Sequence, residues 1–192
     1  MTFLVAGLLL WSLVHLMKSI TPGMRSSIQG TIGEGPHKGL AALLLLTSVG
    51  LMIYGWRSTP AEFVYDPPNW GRHLNMLLMI FSIYLIGVAQ GKSQIKQWIR
   101  HPMLTGVLVW AVGHLLANGD NKSLILFGGL GLWALISIIT VSRNDGVWVK
   151  PSEVATPGRE VLSVAIALIL YAILFGTHQY FAGVALVGPH AP

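Results

Sequence analysis

The stretch Arg100–Asp120, "RHPMLTGVLVWAVGHLLANGD", decides the fold class, because an apolar run follows its Arg-His-Pro start and an Asn-Gly pair closes it. About twenty apolar residues in a helix span the core of a bilayer. The pair Asn118-Gly119 favours a tight turn, and a second long apolar run follows it. The pattern predicts two antiparallel membrane helices joined by a short hairpin.

The rest of the chain repeats this pattern. Of its 192 residues, 53% are hydrophobic and 10% are charged, and its mean hydropathy is +0.64; soluble domains carry about 25% charged residues. We predict an all-α, polytopic membrane helix bundle that forms one domain over residues 1–192. The first apolar stretch lacks the basic start and cleavage site of a signal peptide, so we expect it to be retained. About six transmembrane helices are expected, at residues 2–20, 38–56, 73–90, 102–118, 123–141 and 161–184.

The basic residues indicate the orientation of the helices. Nine fall in the first, third and fifth links between the spans: Lys18, Arg25, Lys38, Lys92, Lys96, Arg100, Arg143, Lys150 and Arg159. Three fall on the other side: Arg57, Arg72 and Lys122. The positive-inside rule then predicts that both termini are non-cytoplasmic. It also accounts for the net charge of +5 without a nucleic-acid partner. The polar segment 23–35, "GMRSSIQGTIGEG", is predicted to be a short amphipathic helix on the cytoplasmic face.

Histidines inside the predicted spans are the candidate functional groups. These are His15, His114 and His178, and ionisable side chains at such depths are costly and mostly functional. For any one of them alone, a hydrogen bond to a neighbouring helix is the simpler interpretation. Together, in a chain with no cysteine and no carboxylate within the spans, they indicate an imidazole pair that holds haem b. Zinc would usually require more protein ligands, and a proton pathway would usually contain Asp or Glu.

The other histidines have simpler interpretations. His73 and His101 each follow an arginine at the start of a span, where they would anchor the helix at the interface or cap its first turn. Pro102 suits the first turn of a helix, because no intrahelical hydrogen bond is lost there. We expect His37 and His190, in a loop and in the tail, to be solvated.

Haem propionates need cations at a membrane face, and a guanidinium group binds a carboxylate well. We predict Arg72 for this role if the haem lies toward the outer face and Arg100 if it lies inward; interfacial anchoring is the alternative for both. The small residues Ala111 and Gly113 precede His114 and would leave space for a planar ring. Gly106, Gly113 and Ala117 also form a small-residue face, for which close helix packing without a ligand is the alternative interpretation.

Ser19 follows His15 by one helical turn. The two side chains would therefore share a face of the first helix. We expect Ser19 to set the tautomer of His15 as a hydrogen-bond partner.

Four motifs resemble the NnrU family of bacterial membrane proteins and together cover most of the chain. They are "LVHLMKS" (13–19), "IGEGPHKGL" (32–40), "WGRHLNMLLM" (70–79) and the opening stretch. The family takes its name from a link with denitrification, where it is needed for nitric oxide metabolism. The resemblance implies a multi-pass protein of the bacterial inner membrane that acts on a hydrophobic small molecule or on nitric oxide.

The same motifs are similar to those of plant and cyanobacterial zeta-carotene isomerase, whose catalytic domain belongs to this family and holds haem b between two histidines. In that enzyme, reduction of the haem releases one ligand. The resemblance implies that His15 and His114 bind the haem iron. The chain is much shorter than the isomerase, and Ala111 stands where the isomerase has a functional cysteine. The resemblance therefore supports haem binding more strongly than it supports the isomerase reaction. A redox-gated, isomerase-like enzyme and a nitric oxide or redox-linked factor both stay open.

Depth in the membrane suggests a second choice of ligands. The predicted topology separates His15 and His114 by roughly 10 Å along the membrane normal, at about 1.5 Å per residue. His73 and His178 lie at depths that match His114 better. On the resemblance, our first choice of haem ligands is His15 with His114. Our second choice is a pair drawn from His73, His114 and His178.

Two further functions stay open. The motif "RHPxxxG" (100–106) also resembles the cofactor motif of isoprenylcysteine and methanethiol methyltransferases, which depend on S-adenosylmethionine. Those enzymes continue with paired glutamates in a basic segment, and the segment 142–154, "SRNDGVWVKPSEV", has no such pair. A non-catalytic assembly factor is the other alternative, because binding haem does not imply turnover.

Overall fold

The computed structural model describes residues 1–184 and residue 186, so His190 and the end of the predicted domain lie outside the described part. The described chain is helical, apart from one isolated β-bridge between Phe63 and Asp120. Short 3-10 turns lie at Val88–Gln90 and Gln94–Gln97. The α-helices are α1 (Thr2–Ile20), α2 (Pro22–Ile32), α3 (Glu34–Ser58), α4 (Gly71–Gly87), α5 (Pro102–Ala117), α6 (Asn121–Asp145) and α7 (Pro157–Ala182).

The predicted all-α polytopic bundle is confirmed. Within the described residues, five helices are long and apolar enough to cross a membrane: α1, α3, α4 with its 3-10 extension, α6 and α7. The remaining predicted span, 102–118, forms α5, whose 16 residues are fewer than a bilayer core requires of an upright helix. The helices α3 and α6 also extend beyond their predicted spans, by four residues at the start of α3 and at the end of α6 and by two residues at their other ends.

The long helices alternate in direction along the chain. The amino group of Met1 donates to Thr59 Oγ1 (2.6 Å), which places the start of α1 beside the end of α3. The turn between α5 and α6 lies at this same end, because Val64 N and Tyr65 N both donate to Gly119 O (2.8 and 3.1 Å). We call this the hairpin end of the bundle.

The opposite end, which we call the basic end, carries nine of the twelve Lys and Arg residues, in the helix ends and connecting segments that meet there. The predicted amphipathic segment forms α2 there; it has no buried residue. By the positive-inside rule the basic end faces the cytoplasm. This orientation stays a prediction.

Small residues bring the helices close together. A Cβ added at Gly7 of α1 would lie 2.7 Å from Ser48 O of α3, and one at Gly106 of α5 would lie 3.0 Å from Ser82 O of α4. Such close backbone approach is typical of membrane helices, which lack a hydrophobic driving force between them. In this way α1 pairs with α3 and α5 pairs with α4, while α6 lies between α1 and α5.

The last helix, α7, is peripheral and packs along α4. Near the basic end, the Glu160 carboxylate accepts hydrogen bonds from the hydroxyl groups of Tyr84 and Ser93, the latter at 2.8 Å. Near the hairpin end, Trp56 Nε1 donates to Ala182 O (3.4 Å). Polar contacts near its two ends therefore attach α7 to the rest of the bundle.

Candidate functional site

His15 of α1 and His114 of α5 have the same local hydrogen bond. The Nδ1 atom of His15 lies 3.0 Å from Trp11 O, and that of His114 lies 2.8 Å from Trp110 O. Because a carbonyl oxygen can only accept, Nδ1 carries the proton in both rings and Nε2 keeps its lone pair. Histidines that bind metals are commonly fixed in this way, with the other ring nitrogen donating to a carbonyl group.

A tryptophan one helical turn before each histidine completes a repeated motif, Trp-x-x-x-His. The segments are "WSLVH" (11–15) and "WAVGH" (110–114). The ring centroids of Trp11 and His15 are 4.1 Å apart, and those of Trp110 and His114 are 4.9 Å apart. The spacing is visible in the sequence, but the sequence analysis missed it.

The intervening helix α6 adds an aromatic ring to each histidine. Trp133 makes an edge contact with His15 at 5.0 Å between centroids. Phe127 stacks on His114 at 4.3 Å, with 23° between the ring planes. The sequence analysis missed both residues, and no local signal marks them, because these contacts depend on which faces of α6 meet α1 and α5.

The same two rings measure the difference in depth between the histidines. Phe127 and Trp133 are six residues apart on α6, which corresponds to about 9 Å along the helix axis. His114 therefore lies nearer the hairpin end and His15 nearer the basic end. This offset agrees with the one expected from the sequence.

Two buried indole groups lie around His15. The atoms Trp11 Nε1 and Trp133 Nε1 are buried and have no hydrogen-bond partner among the described residues. Their rings contact one another at 5.5 Å as well as contacting His15. A buried donor without a partner costs about 1–3 kcal/mol, which makes such atoms uncommon in structural cores.

The second-choice haem ligands, His178 and His73, lie in different surroundings. His178 of α7 has Nδ1 at 2.9 Å from Val184 O, and it interacts electrostatically with His114. His73 is exposed in the first turn of α4, and no contact within the described residues joins it to His114. The described residues also contain no group of three or more His, Asp or Glu side chains that could hold a metal ion. The structure therefore brings His178, but not His73, close to His114.

The small residues before His114 serve helix packing. A Cβ added at Gly113 would lie 2.5 Å from Asn75 Oδ1 and 2.9 Å from Met79 Cε, both on α4. On the other side, Ala111 Cβ is 3.0 Å from the position that a Cβ on Gly131 of α6 would take. The expectation that these residues leave space for a planar ring is therefore wrong, and the packing interpretation is correct.

The expected partnership of Ser19 with His15 is also wrong. Ser19 Oγ donates to Leu16 O (3.3 Å) and accepts from Thr140 Oγ1 of α6 (3.0 Å). Its hydroxyl group therefore joins α1 to α6, and Trp11 O sets the tautomer of His15.

The two candidate propionate-binding arginines lie at opposite ends of the bundle. Arg72, in the first turn of α4 at the hairpin end, donates from Nη2 to Leu186 O (2.8 Å). Arg100, at the basic end, donates from Nη1 to Gly146 O (2.9 Å), and its Nη2 lies 3.9 Å from a carboxylate oxygen of Asp145.

His101 has a structural position at the start of α5. Its Nε2 lies 2.9 Å from Ser142 Oγ, a contact that joins the start of α5 to the end of α6. Burial lowers the pKa of His101, and the nearby charge of Arg100 lowers it further. His101 occupies the N-cap position of α5, but its side chain makes no capping hydrogen bond, so of the two roles expected from the sequence its contact with Ser142 agrees with anchoring and not with capping.

Alternating apolar helices, close small-residue packing and a strongly basic end define a polytopic helical membrane protein. The chain matches the family model described as "NnrU protein" over residues 3–186. It therefore belongs to the NnrU family. No curated protein and no solved structure matches it.

Proposed function

We propose that this protein binds haem b inside the membrane, with His114 as the fixed axial ligand and His15 as the second. The observation that carries the proposal is the repeated Trp-x-x-x-His unit, in which Nδ1 donates to a backbone carbonyl and Nε2 is left to bind iron. Two neutral imidazoles are a common ligand set for a low-spin haem in a helix bundle. Without cysteine in the chain, the haem would be held without thioether bonds.

The residues of this chain fit such a group. Rings from Trp110 and Phe127 cover His114, and rings from Trp11 and Trp133 cover His15, so both imidazoles are held in apolar surroundings. These ring contacts restrict rotation of the imidazoles. The unpartnered indole N–H groups beside His15 would supply donors to a ligand atom in that region.

The difference in depth leaves the second ligand to be decided by experiment. His15 and His114 are offset by about 9 Å along α6, so the depth of His15 does not match that of His114. His178 interacts with His114 and has the same carbonyl-bound Nδ1, which makes it the alternative second ligand. His73 ranks below it, because it is exposed in the first turn of α4.

Arg72 suits a propionate better than Arg100. Arg72 and His114 both lie toward the hairpin end, whereas Arg100 lies before the start of α5, and His114 lies about 18 Å along that helix from Pro102. A propionate of a haem bound to His114 would therefore meet Arg72 more readily.

Haem b would supply reversible one-electron chemistry and, at an open axial position, a site for nitric oxide. In the light of the family's link with denitrification, we propose a redox-linked or nitric oxide-linked factor in the bacterial inner membrane, with the basic end in the cytoplasm. A methyltransferase is less well supported: Glu153, in the segment where those enzymes carry paired glutamates, is ion-paired with Lys92.

The test is the visible spectrum of the protein purified in detergent from haem-replete cells. We expect a sharp Soret band of a low-spin, six-coordinate haem b. Absence of Soret absorbance would disprove the proposal. His114→Ala should lose most of the haem. His15→Ala should keep a five-coordinate haem that binds carbon monoxide readily.

Two further variants complete the design. His101→Ala is the control and should keep the spectrum of the parent protein, because His101 contacts Ser142 at the basic end. His178→Ala separates the two ligand pairs. If His178→Ala becomes five-coordinate while His15→Ala keeps the normal spectrum, the second ligand is His178.

A further inference from the structure

A cavity of about 620 Å³ lies at the basic end, between the start of α5 and the link from α6 to α7. Lys96, Arg100 and Asp145 contribute its charged lining, and Met103 and Leu104 contribute apolar surface. It is separate from the proposed haem site, because the cavity lies at the start of α5 and His114 lies about 18 Å along that helix from Pro102. The cavity thus combines a mainly cationic wall with an apolar wall.

Backbone carbonyls hold the side chains of Arg100 and Lys96 in place, and each side chain has further N–H groups that these carbonyls do not bind. Arg100 has five N–H donors, of which one bonds Gly146 O; its 3.9 Å contact with Asp145 is longer than a hydrogen bond. Lys96 Nζ donates to Ala89 O (2.7 Å) and has two further N–H groups. Both side chains are therefore positioned at the cavity and can bind an anion as well.

The rim of the cavity has the character of a membrane interface. Val147 and Val149, which line it, have exposed fractions of 89% and 83%. Nearby, the amino group of Lys150 lies 5.7 Å from the ring centre of Trp98 and 5.8 Å from that of Trp148. Exposed apolar side chains beside tryptophan and lysine are typical of the border between lipid headgroups and acyl chains. We therefore expect the cavity to open at the level of the lipid phosphates.

We propose that this cavity binds the phosphate group of an anionic amphiphile. Arg100 and Lys96 would bind the phosphate oxygens, and Met103 and Leu104 would contact the apolar part. Asp145 in the same wall opposes a second negative charge, so a singly charged phosphodiester fits better than a doubly charged phosphate monoester. The exposed apolar rim indicates a phospholipid such as phosphatidylglycerol as the source, and a free phosphate compound is the other source.

Native mass spectrometry of the full-length protein, given equal amounts of phosphatidylglycerol and phosphatidylcholine, tests the proposal. We expect the parent protein to retain one phosphatidylglycerol in preference. Arg100→Gln and Lys96→Gln should each weaken this retention about tenfold, as expected for the loss of a charge-assisted hydrogen bond. Arg143→Gln is the matched control: it removes the same charge at the same end but lies outside the cavity lining, and it should retain the lipid.

Each result decides a separate point. Equal losses in Arg143→Gln and in the cavity variants would show that general surface charge binds the lipid, and would overturn the site. If Arg100→Gln does not fold, Lys96→Gln carries the test alone, because Lys96 bonds only one nearby carbonyl. Competition by inorganic phosphate or glycerol 3-phosphate without a lipid preference would keep a phosphate site but overturn the lipid source. No preference and no competition would overturn both.

Discussion

The imidazole of His114 stacks on the phenyl ring of Phe127, with centroids 4.3 Å apart, and thereby connects the candidate site on α5 to α6. Phe127 is buried, with an exposed fraction of 6%, and it also contacts the rings of Trp56 and Trp110. One side chain therefore joins three helices around the histidine.

The first prediction concerns this ring. Phe127→Leu keeps an apolar side chain but removes the aromatic contacts, each worth about 0.5–1.5 kcal/mol beyond area burial. We expect a lower free energy of unfolding, measured by reversible unfolding in sodium dodecyl sulfate. Phe81→Leu is the control, because Phe81 is 40% exposed and makes no ring contact within the described residues. Equal effects of the two substitutions would contradict a special role for Phe127.

The second prediction concerns the hairpin end. The Tyr65 hydroxyl group lies within hydrogen-bonding distance of the carbonyls of Leu115 and Asn118, which follow His114 at the end of α5. Burial raises the pKa of Tyr65, and the charge of Asp120 raises it further, so the hydroxyl stays a donor at neutral pH.

Tyr65→Phe should cost about 1–2 kcal/mol, because it leaves carbonyls at a helix terminus without their donor. Faster amide hydrogen exchange in the last turn of α5 would show this. Tyr54→Phe removes a hydroxyl that has no partner among the described residues, and it should leave exchange unchanged. Unaltered exchange in Tyr65→Phe would rule out this support of the helix end.

The third prediction uses two glycines of one helix. A Cβ at Gly55 of α3 would overlap the backbone of Leu4 in α1, whereas a Cβ at Gly50 would meet nothing within 4 Å. Gly55→Ala should therefore force α1 and α3 apart and cost about 1–3 kcal/mol. Gly50→Ala should be neutral or slightly stabilising, because alanine favours helix. The measurement is the unfolding midpoint in sodium dodecyl sulfate, and equal midpoints would refute the close approach.

The fourth prediction concerns pH. Burial and Arg100 lower the pKa of His101 below its ordinary value of 6.5, so the unfolded chain takes up the proton more readily than the folded one. The stability that this histidine contributes is present above pH 6.5 and is lost as the pH falls from 6.5 through the lower folded pKa. His101→Gln should reduce this dependence. Stability curves of both proteins from pH 7.5 to 5 provide the comparison, because the other histidines are common to both; identical curves would be evidence against it.

The fifth prediction compares Arg72 with Arg100 as the residue that would bind a propionate of the proposed haem. Arg72→Gln should lower haem retention and shift the midpoint potential of the haem, because a propionate loses its cation. Arg100→Gln should leave the potential closer to that of the parent protein. If neither substitution changes haem content or potential, neither arginine holds a propionate.

Local signals explain what could be predicted from the sequence. Pro102 and the Asn118-Gly119 pair fix the ends of α5 to within one residue, because a proline at the first turn and a turn dipeptide act locally. The Trp-x-x-x-His spacing is equally local. The contacts of Phe127 and Trp133 are not local, because every face of a membrane helix is apolar and hydropathy does not show which face meets another helix. For the same reason, the sequence did not show whether Gly113 packs against another helix or leaves space for a ligand.

The peripheral place of α7 bears on how the protein is made. Synthesis delivers α1 to α6 to the membrane before α7 emerges, and the carbonyl bonds and ring contacts of His15 and His114 all come from α1, α5 and α6. We therefore expect α1, α5 and α6 to place both histidines in their aromatic surroundings before α7 is added. The last helix then docks through Glu160 at one end and through Ala182 at the other. With His15 and His114 as the ligands, the proposed binding of haem would therefore not require α7.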